Sequence, residues 1–389
     1  MKNLIAIPIL YVHHERALGG APLSLLYLLR KLDRAKYAPR VICLREGPAA
    51  DLFRRDGIPV QVLAGPDLSH TELVWFRWWQ FPRLLWRILA SISLFLRLRK
   101  AMNDSAFHVP RSPFPLVHLN SSTLAVAALA AKSLGLPVVW HIREPLARGY
   151  LGFRRALLRL VVRRLADQVI AISRNDADQL GSMSSLRLSV IHNFVDFKQF
   201  DAGLQGDKIR VELGIPPDHS VVLFLGGGSP VKGTGVLLDA ATKIFSRSQS
   251  IHFVIAGEGS SANPSDERIH RLGPRLDVPD LLAGSDLLVF PSIIPHFARP
   301  VIEAAAMAKP VVASDLGGVR ELVVHGETGL LIPPGNPDAL ASAVIELLAN
   351  PARRKKMGGR ARALAREKFN ADKNAVETFM VYERMARPV

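Results

Sequence analysis

PSIIPHFARPVIEAAAMAKPVVASDLGGVRE, Pro291 to Glu321, decides the fold class. The apolar run Asp286–Phe290 just before it reads as a buried strand. A loop follows, Pro300 opens a helix where its missing N–H is tolerated, and Pro310 closes that helix. A second apolar run, Pro310–Ala313, leads into Gly317-Gly318. Strand, loop, helix, strand is the unit of a doubly wound parallel sheet, which presents helix N-termini at its carboxyl edge. Free backbone N–H groups there attract anions. Glu303 falls, on this reading, in the first turn of the helix, close enough to the edge to touch a ligand. The pattern suits a nucleotide diphosphate.

Outward from this stretch, strand-like apolar runs alternate with amphipathic stretches in both halves of the chain, the signature of α/β architecture with parallel sheets. The first half predicts strands at Leu4–Ile9, Arg40–Leu44, Val60–Leu63, Leu116–Leu119, Val138–His141 and Gln168–Ile172. The second predicts strands at Val221–Leu225, His252–Ala256, Asp286–Phe290, Pro310–Ala313 and Gly329–Ile332. Between the halves, NFVDFKQFDAGLQGDKIRVELGIPPDH (Asn193–His219) is polar and reads as a linker with a short helix. The expected organisation is a Rossmann-like domain over 1–195, a linker over 196–218, a second Rossmann-like domain over 219–368, and a C-terminal helix over 369–389 packing back on the first domain. Two doubly wound domains facing across a cleft is the expected fold.

The 389 residues, 49% hydrophobic, suffice for two such domains with substantial cores. The single cysteine, Cys43, excludes an internal disulfide and a cysteine-built zinc site, and fits a reducing, cytoplasmic compartment. The apolar start MKNLIAIPIL lacks a cleavage signature and reads as a first core strand. A net charge of +16 favours phosphates or anionic lipid surfaces as partners. Nucleic acid is not expected, because no zinc-finger, helix-turn-helix or RNA-binding signature appears. Four of the five tryptophans fall in WFRWWQFPRLLWRILASISLFLRLRK, Trp75–Lys100, among arginines. Pro82 and those arginines interrupt every spanning window, whereas tryptophan with arginine suits a membrane interface. The plain alternative is a helix packed on its domain with arginines in solvent. A second basic helix, FRRALLRLVVRRLAD (Phe153–Asp167), leaves the same choice open.

Several short motifs sit where ligands bind such sheets. GGGSPVKGTG (Gly226–Gly235) links a strand to a helix; glycines let backbone N–H groups approach phosphate, and Lys232 stands just before the helix. HERALGGAPLSLL (His14–Leu26) places Gly19-Gly20 after the first strand. His118-Leu119-Asn120 and Trp140-His141-Ile142-Arg143-Glu144 give two strand ends polar tips. Each has a bland reading as a turn or a satisfied structural histidine.

Together with VIHNFVD (Val190–Asp196), LLAGSDLLVFPS (Leu281–Ser292) and GETGLLIPPGN (Gly326–Asn336), these fragments make the chain resemble a group 1 (family 4) retaining glycosyltransferase of the GT-B fold. The resemblance covers almost the whole chain and is weakest from about Asp67 to Pro113. It implies transfer of a sugar from a nucleotide diphosphate sugar to an acceptor hydroxyl, on an acceptor sugar or lipid-linked glycan, in cell-surface polysaccharide synthesis, with no cofactor and no bound metal. Glu303 matches the second glutamate of a paired motif, which bonds the donor ribose. Arg299, Pro300 and Val301 match the turn beside the diphosphate. Lys232 matches the lysine that neutralises the leaving group, with Gly227 and Gly228 in its loop. His141 matches a histidine near the transferred sugar, and Gly19 and Gly20 match a glycine loop facing donor and acceptor. Two positions depart from the pattern. Pro295 stands where the first glutamate belongs, and Gly227 where an arginine belongs. His296 and Arg299 are the candidates to replace those contacts. The departures keep two alternatives open: a non-catalytic, membrane-associated module that binds sugar nucleotides, and a GT-B nucleotide-sugar epimerase.

Overall fold

Two all-parallel sheets, each with helices threaded between successive strands, carry the molecule. The computed structural model describes residues 6–66, 81–104, 115–259, 266–295 and 297–386. The chain divides into one unit of 1–192 with 372–389, and a second of 193–371.

In the first unit the strands are β1 (Ile7–His13), β2 (Tyr37–Cys43), β3 (Val60–Val62), β4 (Leu116–Leu119), β5 (Val138–Ile142), β6 (Gln168–Ala171) and β7 (Leu188–Val190). The helices are α1 (Gly20–Arg30), α2 (Pro48–Arg55), α3 (Phe81–Asn103), α4 (Ala125–Ser133), α5 (Phe153–Leu165) and α6 (Arg174–Asp178). Strand order is β3-β2-β1-β4-β5-β6-β7, with Tyr11 opposite His118 and His141 opposite Ile170. The direction of winding reverses between β1 and β4. Strands β4 and β5 are buried at every residue, as a parallel sheet covered on both faces requires. Leu10, Val117, Leu119, Trp140 and Ile142 of the sheet pack with Leu94, Leu98 and Met102 of α3, alanines of α4 and Val162 of α5.

The second unit contains α7 (Asp207–Glu212), β8 (Ser220–Phe224), α8 (Thr234–Phe245), β9 (Ile251–Ala256), β10 (Ile269–Gly273), α9 (Val278–Gly284), β11 (Leu287–Phe290), α10 (Arg299–Ala306), β12 (Val311–Ser314), β13 (Gly329–Ile332), α11 (Pro337–Leu348) and α12 (Pro351–Lys368). Its order, β10-β9-β8-β11-β12-β13, reverses between β8 and β11. The last helix, α13 (Ala371–Ala386), belongs to the first unit. Its Asn374 side chain donates to the His192 carbonyl, and Lys36 pairs with Glu383.

Three readings of the sequence need correction. β7 and β10 were not foreseen: one has three residues, and the other carries His270 and Arg271, which break the apolar run. α10 opens at Arg299, so Glu303 is its fifth residue and the first turn holds no acid. The first strand runs Ile7–His13, further along than expected, while residues 1–5 lie outside the described residues. Trp75, Trp78 and Trp79 also lie outside them.

Candidate functional site

In the first unit, polar side chains gather at the carboxyl ends of β1, β4 and β5, beside the winding reversal where such sheets bind ligands. His13 ends β1, His118 lies in β4 with Asn120 just after it, and His141 lies in β5 with Arg143 and Glu144 just after it; all six are buried. Asn120 ties the strands together. Its amide donates to His13 Nδ1 at 3.2 Å and to the Ala21 carbonyl, and it accepts from Arg143 Nε at 2.8 Å. Glu144 is held by Ser121 Oγ at 2.5 Å and by the backbone N–H and Oγ of Ser122, both at 2.7 Å. From α13, Tyr382 OH is hydrogen-bonded to His118 Nδ1 at 2.8 Å.

Burial, reinforced by the Arg143 charge, pushes His118 and His141 well below the ordinary imidazole range; burial and then His14 do the same to His13. The cluster is therefore neutral near pH 7. Buried polar atoms are normally hydrogen-bonded. Yet neither ring nitrogen of His141, nor Nε2 of His13 or of His118, has a partner among the described residues. Gly19 caps α1 and Gly20 begins it; a Cβ on Gly19 would stand 3.0 Å from the Glu15 carboxylate.

In the second unit, the loop 226–233 links β8 to α8. Gly227 has a φ of +62°, and a Cβ on it would stand 2.2 Å from the Glu258 carbonyl. A Cβ on Gly228 would stand equally close to the Gly259 carbonyl. These glycines exist because backbone lies on backbone. Their N–H groups donate to Ala256 O and Glu258 O, so they are committed inside the protein and not aimed at phosphate as the sequence suggested. Lys232 ends a short 3-10 turn, half-buried. Its neighbour Val231 is stapled to the loop after β11: Ile293 N–H and Ser292 Oγ both donate to the Val231 carbonyl at 3.1 Å. The two loops that flank the β8/β11 reversal are thus tied to each other.

Arg299 and Glu303 face each other one turn apart on α10, with Nε and Oε1 2.7 Å apart and only 5% and 6% of the side chains exposed. Burial raises the Glu303 carboxyl above its ordinary range, and Arg299 opposes that shift. Pro300 has no N–H, and Val301 N–H donates to Ala298 O, so neither offers a backbone donor to an anion. His296 lies outside the described residues. The sequence contains one Asp-x-Asp, Asp176-Ala177-Asp178. Asp176 is buried and engaged at the start of α6, accepting from Ser173 Oγ at 2.7 Å while its N–H donates to the same hydroxyl. Among the described residues no group of three or more histidine, cysteine or acidic side chains is arranged to hold a metal ion.

Sequence reasoning placed His141 at the end of a strand, where the structure has it in β5, and Gly227, Gly228 and Lys232 between a strand and a helix, which are β8 and α8. It passed over His13 and Tyr382. His13 was legible as the polar end of an apolar strand; Tyr382 was not, because 264 residues separate it from His118.

Two doubly wound parallel sheets in one chain are the architecture of the GT-B class of fold. Anabaena HepE, solved in complex with UDP-glucose, superposes with a TM-score of 0.79 over 97% of this chain and all of that one, at 23% identity. The sequence profile of Glycosyltransferase Family 4 matches residues 18–199, and that of glycosyl transferases group 1 matches residues 219–350. The chain belongs to the group 1, family 4 glycosyltransferases. A D-inositol 3-phosphate glycosyltransferase of Streptomyces bingchenggensis is 31% identical over 246 residues, 57% of this chain and 54% of that protein. A protein of the same description from Streptomyces scabiei is 28% identical over 378 residues, 91% of this chain and 76% of the relative. The chain spans little more than half the length of several of the curated relatives it matches.

Proposed function

We propose that this protein transfers a sugar from a nucleotide diphosphate sugar to an acceptor hydroxyl, with retention of anomeric configuration. The observation that carries the reading is His141: a neutral imidazole, buried at a carboxyl strand end, with both ring nitrogens lacking a partner among the described residues. Such a group bonds a sugar hydroxyl without adding charge. The UDP-glucose bound to Anabaena HepE supports a nucleotide sugar as the donor class. In the reaction the bond from anomeric carbon to diphosphate oxygen breaks and the nucleoside diphosphate leaves with the electron pair. The acceptor oxygen bonds the same carbon from the same face, and its proton passes to the departing phosphate. Lys232 meets the charge that builds on the diphosphate, and Glu303 holds the ribose. No metal or cofactor is invoked, since Lys232 and Arg299 supply positive charge. The acceptor is a sugar or lipid-linked glycan of the kind built into surface polysaccharides, and the protein works in the cytoplasm.

Lys232→Ala tests the charge assignment. Turnover should fall by 100-fold or more, on the order of 3 kcal/mol of transition-state stabilisation, while donor affinity changes far less. Equal kcat in variant and wild type refutes it. Pro295 and Gly227, which stand where the family pattern has a glutamate and an arginine, favour one second reading, a module that binds sugar nucleotides without turning them over. Donor binding with neither transfer nor hydrolysis across an acceptor panel would select that reading.

A further inference from the structure

The outer face of α3, α4 and α5 is built against expectation for a surface in water. Along α3, Leu94, Leu98 and Met102 form the buried stripe. Leu85, Ile88, Leu89, Ile92 and Leu96 form a second apolar stripe at i, i+3, i+4, i+7 and i+11, and all five are exposed. Residues two apart lie about 200° around a helix, so Leu96 points away from the core that Leu94 and Leu98 enter. Trp86 stands beside this stripe, 61% exposed. α5 repeats the design: Phe153, Leu157 and Leu160 are exposed at helical spacing. Leu151, 89% exposed, caps the turn before it at a φ of +47°. Leu129 of α4 is exposed between them, and a groove of about 440 Å³ lined by Arg87, Ile88, Ile92, Val126 and Leu129 joins α3 to α4. Contiguous exposed apolar surface of this kind marks an interaction site.

The charge says with what. Not one Asp or Glu occurs in the three helices, whereas Arg87, Arg99 and Lys100 of α3 and Arg163 and Arg164 of α5 lie among or beside the apolar positions. A second copy of this chain would bring the same face and a net +16 against it. An anionic bilayer surface offers negative charge and an apolar layer beneath it, which matches apolar side chains fringed by arginine. α5 follows β5, the strand that carries His141, across residues 143–152. No described helix is long and apolar enough to cross a membrane, so the contact is made from one side.

We infer that the exposed face of α3, α4 and α5 docks on anionic lipid, and that the acceptor hydroxyl is carried on a lipid at that surface. The acceptor part rests on the transferase reading; the docking part does not. The test is co-sedimentation with phosphatidylglycerol-containing vesicles and with pure phosphatidylcholine vesicles, no donor present, for wild type and Leu89→Asn/Ile92→Asn/Leu157→Asn. These side chains are exposed, so the variant should melt as wild type does and keep its thermal shift with nucleotide sugars. Wild type should bind the anionic vesicles, lose binding as salt rises, and partition at least 10-fold more strongly than the variant. Wild type left in the supernatant at low salt overturns the proposal. So does a variant that binds as well as wild type, which would move the contact elsewhere. Self-association of wild type, abolished in the variant and without vesicle binding, also overturns it and assigns the face to a second copy. Because no readout uses catalysis, failure here leaves the transferase reading standing.

Discussion

At the scale of single residues, the two departures from the family pattern have different physical standing. Gly227 is fixed by geometry: its φ of +62° and the Glu258 carbonyl 2.2 Å from a would-be Cβ leave no room for a side chain. Restoring the family arginine with Gly227→Arg should therefore lower the melting temperature and not improve activity. The left-handed backbone alone costs about 1–2 kcal/mol for a non-glycine residue. A Gly227→Arg protein that melts with wild type would refute that reading of the loop. Glu303 is a different case. From its position alone, replacing it should leave stability almost unchanged, but its buried pairing with Arg299 changes that expectation. Glu303→Gln leaves a buried guanidinium without its counter-charge, which costs about 3–5 kcal/mol. Chemical denaturation should show this loss, and Arg299→Met/Glu303→Gln should recover part of it. The i,i+4 spacing of opposite charges made the pair legible in the sequence.

At the scale of elements, the alternation of buried runs with helices located most strands, and the failures have physical causes. β10 was missed because His270 and Arg271 interrupt its apolar run. His270 belongs to a ladder across β8, β9 and β10: His219 Nδ1 meets His252 Nε2 at 2.9 Å, and His252 Nδ1 meets His270 Nε2 at 3.0 Å. Burial first, then the charges of His270 and His219, push His252 down to about 4. Its folded-state value thus lies below the ordinary imidazole value of about 6.5, so the neutral form is the one the fold favours. Its contribution to stability is complete above about pH 6.5 and is lost as pH falls from there toward 4. Urea midpoints measured from pH 7.5 to 4.5 should fall more steeply for wild type than for His252→Gln. Parallel curves would mean that the ladder carries no such linkage. α3 shows a second limit of sequence reading. Its apolar residues fill two opposed stripes, and only the structure separates Leu94, Leu98 and Met102, which enter the core, from Leu85, Leu89 and Ile92, which do not.

At the scale of the whole molecule, the two doubly wound sheets were legible because each half repeats one period of strand and helix. Much of the chemistry was legible too, since strand ends with polar tips are readable in one dimension. What escaped were long-range ties, such as Tyr382 of α13 holding the ring of His118, and backbone-on-backbone contacts that explain a glycine without any ligand. The central claim is that this +16 protein holds a nucleotide diphosphate sugar. The most direct measurement is thermal unfolding of the intact chain against a panel of UDP-, GDP- and ADP-sugars, with the free sugars and nucleosides as controls. A true donor at 100 times its dissociation constant adds about 2.7 kcal/mol to stability. The account predicts that at least one nucleotide diphosphate sugar raises the melting temperature by several degrees, while free sugars and nucleosides do not. Unchanged melting with every nucleotide sugar at millimolar concentration would contradict it.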